Sequence, residues 1–467
     1  MNYRKMTTYL LLALASILAN TALCSHAEQQ EPAQSQNVWL TIFLHGSFSI
    51  QHEVITLKNL VRCIRDNVEN TVYYKTVEIK RKNPYFYKDQ AIRDYGLHPI
   101  DLTDNDTLNG SQALAKVFNE VIALSSNAAA DLPAPKNYYY TYGWSGLLSS
   151  KHRYQDAVKL YESLEQELAR LKKQGIFPKI RIIGYSHGGN VALNLGAVQE
   201  TKHADNRLSI DELILLGTPI QSETNHLVNS DIFKKVYNVF STSDRIQKLD
   251  FFSCKRFFSR RIFTERQGFT LPKKLVQIQI KATRNNAKVH TSERKLALTG
   301  NFNNPSIISG KSHLLKDISP GHTELWYFGW TSRYYRPGFF SYPLPVAALL
   351  PFIIHQVQGM EHESSPYHPI IFDMRPEHDV ALIKNFTKDK TPHVVDFIPH
   401  EEFKRLKSIA QPYAPHDYSP AEFDRHMHEA YVQASEFYRK EWSPKAKRCK
   451  RAQAKRELRC GQSCTGH

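Results

Sequence analysis

The chain has 467 residues, a formal net charge of +16 and 41% hydrophobic residues. That length suffices to bury a core, and 6 Cys are too few for a disulfide-stapled scaffold, so fibrous, disordered and cysteine-framework classes are excluded. Residues 439–467 carry ten Lys or Arg against two Glu, so half of the excess charge belongs to the tail rather than to the core.

In chain order, Arg4 and Lys5 precede an apolar run from Tyr9 to Leu23, and Ser25-His26-Ala27 offers small residues where a signal peptidase reads. Residues 1–27 are expected to be an export signal, directing the protein to a secreted, periplasmic or cell-surface location, with a polar linker over 28–36. Ser16, Asn20 and Thr21 interrupt the run, which is too short for a membrane span. Leu23 is bulky for a lipoprotein site before Cys24. Removing Cys24 with the signal leaves Cys63, Cys254, Cys449, Cys460 and Cys464, and the close pair at the end fits a terminal disulfide better than a metal site.

Val38 to Leu44 is a buried-strand run that breaks at His45-Gly46-Ser47-Phe48. A core helix is expected over 54–69, and the polar stretch from Lys80 to Asn109 suits a mobile cover. Asn137 to Gly143 is rich in Tyr and reads as a second strand. Val158, Leu160, Leu164, Leu168 and Leu171 fall near helical spacing just ahead of the most informative segment of the chain.

That segment is Ile182-Ile183-Gly184-Tyr185-Ser186-His187-Gly188-Gly189. An apolar strand ends in Gly-x-Ser-x-Gly and continues into the helix-like Asn190 to Leu195, the pattern of a nucleophile elbow. Gly184 and Gly188 let neighbouring backbone pass close to the turn, and Ser186 is the candidate nucleophile. A serine hydroxyl is a poor nucleophile at neutral pH, so a histidine base, a carboxylate to orient it and donors for the oxyanion must be found elsewhere.

Glu212 to Pro219 is a short buried run stopped by Gly and Pro, and Lys235 to Thr242 is a further strand that leads to Asp244. Asp244 is the candidate acid, because it stands just past a strand end; Asp250 is the alternative, and either could simply cap a turn. Lys274 to Ile280 is the last of six strands before the candidate base, His322, which Pro320 and Gly321 place in a loop ahead of an apolar Leu325 to Phe328. His313 is the runner-up. Pro343 to Ile354 is apolar but short and broken by prolines, and reads as core, with a lipid-facing loop as the other reading. Pro420 to Trp442 has a helical pattern.

Ser, then Asp, then His is the order found in α/β-hydrolases. On that order and on Gly-Tyr-Ser-His-Gly-Gly-Asn, residues 38 to 330 resemble the α/β-hydrolase superfamily, in particular its lipase-like and esterase-like serine hydrolases. The resemblance implies an α/β-hydrolase fold, a mostly parallel sheet with helices on both faces, here without the first two antiparallel strands. It also implies that the backbone N–H groups of Ser47 and His187 form the oxyanion hole. The expected organisation is a catalytic domain over 37–340 with an insertion over about 71–136, then a C-terminal extension over 341–467 ending in the basic tail 439–467.

The expected activity is cleavage of a carboxylic ester, a lipid or other acyl ester, through an acyl-enzyme with no metal or organic cofactor. The same triad serves thioesterases and acyltransferases, and a hydrolase scaffold kept only for binding at the cell surface is the competing class. The tail reads either as a basic helix docking on an anionic membrane surface or as a solvated end. Nucleic acid is the weakest partner, since no recognition motif accompanies the charge.

Overall fold

The computed structural model describes residues 38–48, 66–87, 90–104, 109–126, 136–202, 207–249, 259–264, 269–285, 315–330, 335–360, 365–385, 392–416, 418–443 and, singly, 446, 448, 452 and 453. Residues 1–37, which include the expected export signal and linker, all six cysteines, Asp250, His313 and most of the basic tail lie outside them. Of the helix expected over 54–69 only residues 66–69 are described, and these are not helical.

Strand β1, Val38–Leu44, is an apolar run buried along nearly its whole length. Helix α1, Val72–Lys82, follows, capped by Thr71, whose hydroxyl accepts from the Tyr74 N–H. Within 80–109, expected to be a mobile cover, the described residues include β2, Gly96–Ile100, which pairs antiparallel with a later strand at the sheet edge. Pro99 is tolerated there because an edge strand needs no second ladder. Helix α2, Gly110–Ser126, leads to β3, Lys136–Gly143. Helix α3, Ser150–Lys173, buries Ala157, Leu160, Leu164 and Leu171 as a stripe, with Val158 and Leu168 packed at its border.

Strand β4, Lys179–Tyr185, turns at Ser186 into helix α4, His187–Glu200, and β5, Ile210–Leu216, and β6, Phe233–Phe240, follow. A short helix α5, Ile246–Leu249, precedes β7, Leu275–Asn285, and β8, Leu315–Asp317, pairs antiparallel with the end of β7. Helix α6, His322–Trp326, and helix α7, Leu350–Gln358, come next. Leu344, Val346, Ala347, Ala348, Leu349 and Leu350 are all fully buried, so the apolar 343–354 stretch is core.

The sheet runs in the order β3-β1-β4-β5-β6-β7 with every pair parallel. It does not stop at residue 340. Strand β9, Ile370–Arg375, adds in parallel to β7, and β10, Val380–Lys384, and β11, His393–Asp396, continue antiparallel. The result is an 11-stranded, mostly parallel sheet of an α/β protein, extended by antiparallel strands at both edges.

Because the central strands are buried on both faces, they read as near-continuous apolar runs. On one face Leu40, Ile42, Ile182 and Leu215 pack under α3 and α4. On the other Phe43, Ile183, Ile214 and Ile278 pack with residues of α2, α6, α7 and helix α8, His400–Ala410. Helix α9, Pro420–Phe437, lies against α1 and joins Met427 to a separate apolar cluster with Phe48, Val77 and Leu147. Among the described residues no helix is long and apolar enough to cross a membrane.

Candidate active site

The carboxyl ends of the central strands β1, β4 and β6 meet the segment after β8 at one end of the sheet, where crevices form in open α/β folds. Ser186 ends β4 with φ 51° and ψ −127°, a positive φ that costs a non-glycine residue roughly 1–3 kcal/mol. Its N–H donates to the Leu216 carbonyl at 2.9 Å, tying the turn to β5. A methyl on Gly184 would stand 2.6 Å from the Gly189 Cα, and one on Gly188 would stand 2.4 Å from the His45 carbonyl oxygen. Both elbow glycines are therefore required by close approach of backbone, as the sequence pattern implies.

His322 Nε2 lies 3.2 Å from Ser186 Oγ, and His322 Nδ1 lies 2.7 Å from Asp244 Oδ2. Asp244 is fully buried and the His322 side chain is 16% exposed, so the chain of contacts runs from the protein interior outward to a serine that is 7% exposed. An ionised carboxylate only accepts, which assigns the proton to Nδ1 and leaves the Nε2 lone pair to face the serine hydroxyl. Asp244 also caps α5: its Oδ1 accepts from the N–H groups of Ile246 at 2.9 Å and Gln247 at 3.3 Å. Capping and orienting the imidazole are thus divided between its two oxygens. The guanidinium of Arg261 donates from Nε to the Asp244 carbonyl at 2.8 Å, fixing the backbone behind it.

The loop after β1 borders this chain: a methyl on Gly46 would stand 3.0 Å from Ser186 Cβ. His45 braces the loop rather than reacting. Its Nδ1–H donates to the Gly46 carbonyl at 2.6 Å, and its Nε2 accepts from the Trp144 N–H at 3.3 Å. The Trp144 indole N–H donates to the His45 carbonyl at 2.7 Å and the two rings stack 5.3 Å apart. Burial, with the nearby charge of Arg81 as the second cause, holds the His45 pKa well below the usual histidine value, so the ring is neutral. Ser47 and His187 flank Gly46 and Ser186 in sequence, on the two segments that this contact brings together.

Beside β3, the Ser145 N–H and hydroxyl both reach Asp156 Oδ2, at 3.1 and 2.5 Å. Burial raises the pKa of that aspartate. Trp144, Ser145 and Gly146 thus follow the end of β3 as buried backbone, and the Gly146 carbonyl accepts from the Phe48 N–H at 3.3 Å.

Sequence reasoning missed Tyr185. Its hydroxyl donates to the His322 carbonyl at 3.0 Å, while its ring lies 4.8 Å from the imidazole and stacks on Trp326 at 5.2 Å. It also missed Glu324, whose Oε2 accepts from the Gly321 N–H at 2.9 Å. The aromatic run after His322 marks a packed helix, but which ring touches the imidazole depends on tertiary contacts. No protein-family model matches the chain, and no curated protein matches it.

Proposed function

We propose that the protein is an exported serine hydrolase of the α/β-hydrolase kind that cleaves carboxylic esters, with lipid and other acyl esters as its substrate class. The observation that carries this reading is the continuous Ser186–His322–Asp244 contact chain, built on a positive-φ serine at a strand-to-helix turn. Ser186 Oγ attacks the ester carbonyl carbon while His322 Nε2 takes its proton. The carbonyl electron pair moves onto oxygen, where the N–H groups of Ser47 and His187 receive the charge. Collapse breaks the bond to the alcohol, which leaves with the proton held on Nε2. Water then attacks the acyl-enzyme by the same route, releasing the acid and restoring Ser186. Asp244 holds the imidazole orientation and balances the imidazolium charge throughout.

Hydrolysis of a series of short and long p-nitrophenyl esters by the purified mature protein tests this. Turnover that disappears in both Ser186→Ala and His322→Ala is expected, and the chain-length profile separates esterase from lipase. A folded wild type that turns over no ester in the series would favour the binding scaffold or a different acyl donor.

A further inference from the structure

The loop that carries His322 is held from outside by a charged strut. Glu324 is 2% exposed. One of its oxygens accepts from the Gly321 N–H at 2.9 Å, immediately before His322. The other accepts from Arg336 twice, from Nε at 2.6 Å and from the backbone N–H at 3.2 Å. Arg336 Nη2 also donates to the Ser319 carbonyl at 2.7 Å, three residues before His322. A single guanidinium thus spans the residues on both sides of the base and ties them to the segment anchored by Tyr335, whose hydroxyl donates to the Leu344 carbonyl at 2.7 Å.

Among the described residues the loop is also held at its start, where the Ile318 N–H donates to the Ala282 carbonyl at 2.8 Å and the Ser319 N–H to Asp317 Oδ1 at 2.7 Å, and at the imidazole, where Nδ1 meets Asp244. Ser319 Oγ accepts from the Ala282 N–H of β7 at 3.2 Å, and Tyr185 holds the His322 carbonyl. None of these fixes Gly321, where a small backbone rotation would swing the imidazole away from a serine 3.2 Å off. The Glu324–Gly321 bond does, and Arg336 sets where Glu324 points. Fork geometry matters here, since one planar guanidinium serves a carboxylate and a carbonyl together.

We infer that Arg336 is a positioning residue that, through Glu324 and the Ser319 carbonyl, holds the His322 loop in register with Ser186. The inference deepens the proposed function and rests on His322 being the base. Arg336 touches none of the reacting atoms, and its side chain is 47% exposed, which leaves a path for a free guanidinium ion to replace it.

The test uses Arg336→Met, which keeps the stem and removes the fork, with Arg425→Met as a control because the exposed Arg425 pairs with Glu422 and Glu429 of its own helix α9. Two readouts are taken: the low-field proton resonance of His322 Nδ1–H, assigned by its loss in His322→Ala, and kcat and KM for ester turnover. In Arg336→Met the resonance is expected to broaden or vanish. Its kcat should fall about 10²-fold with KM unchanged, the scale of a misplaced catalytic group. Added guanidinium ion should restore part of both, and Arg425→Met should alter neither. If Arg336→Met does not fold, Arg336→Lys, which cannot span Glu324 and Ser319 together, is expected to give an intermediate loss. An Arg336 variant that retains a sharp Nδ1–H resonance overturns the inference whatever the ester assay reads. Broadening in a protein that turns over no ester would sink the ester-cleaving reading and leave the strut standing.

Discussion

Replacing Asp244 by Asn probes the acid without changing its shape. The buried side chain accepts on Oδ1 from two N–H groups of α5 and on Oδ2 from His322 Nδ1 at 2.7 Å. In Asp244→Asn the amide oxygen can keep the cap, so the fold survives, but the amide NH2 then faces Nδ1. That Nδ1 must accept, the ring proton moves to Nε2, and Nε2 confronts the Ser186 hydroxyl as a donor instead of a base. The expected loss is about 10⁴-fold in kcat, or about 5 kcal/mol of transition-state stabilisation. The assay is p-nitrophenyl ester turnover, with urea unfolding to verify that stability stays near wild type. A folded Asp244→Asn protein within tenfold of wild-type kcat would refute the assignment of Asp244 and the tautomer argument with it.

Gly188→Ala places a methyl 2.4 Å from a backbone oxygen that cannot yield; an activity loss of about 10²-fold or more and a stability loss of about 1–3 kcal/mol are expected, read by turnover and by denaturant midpoint. His45 is held below its ordinary pKa, so the unfolded chain binds its proton first as pH falls. Stability should therefore rise with pH below about 6.5, by up to about 1.4 kcal/mol per unit from this group. His45→Gln should lose that share of the slope in urea midpoints taken across the window, and equal slopes would contradict it. Met427→Ala in α9 opens a cavity in the cluster shared with Phe48. It should cost about 2–4 kcal/mol, measured by urea unfolding.

Much of the central architecture is legible because its strands are buried on two faces. Val38 to Leu44 and Ile182 to Tyr185 carry their burial in their composition. Asp244 is legible from topology, since it follows the parallel strand β6, whereas His322 follows β8, a short strand antiparallel to the end of β7 that the sequence pattern does not show. The edges are not legible. Strand β2 contains His98 and Pro99 and is mostly half-buried, so it lacks both alternation and an apolar run. Strand β9 hides a buried Asp373 that is paired with Arg375 at 2.8 Å and Thr283 at 2.7 Å, a satisfaction no single-chain pattern reveals. The braces of the site are hidden for the same reason. His45–Trp144 spans 99 residues and Tyr185–His322 spans 137, distances that only the fold closes.

The most direct test of the account is reaction of the mature protein with a fluorophosphonate followed by peptide mapping by mass spectrometry. A single adduct on the peptide that contains Ser186, absent from Ser186→Ala and His322→Ala, is the predicted result. A folded protein that takes no label, or takes it at another serine, would contradict the claim that Ser186 is the activated nucleophile.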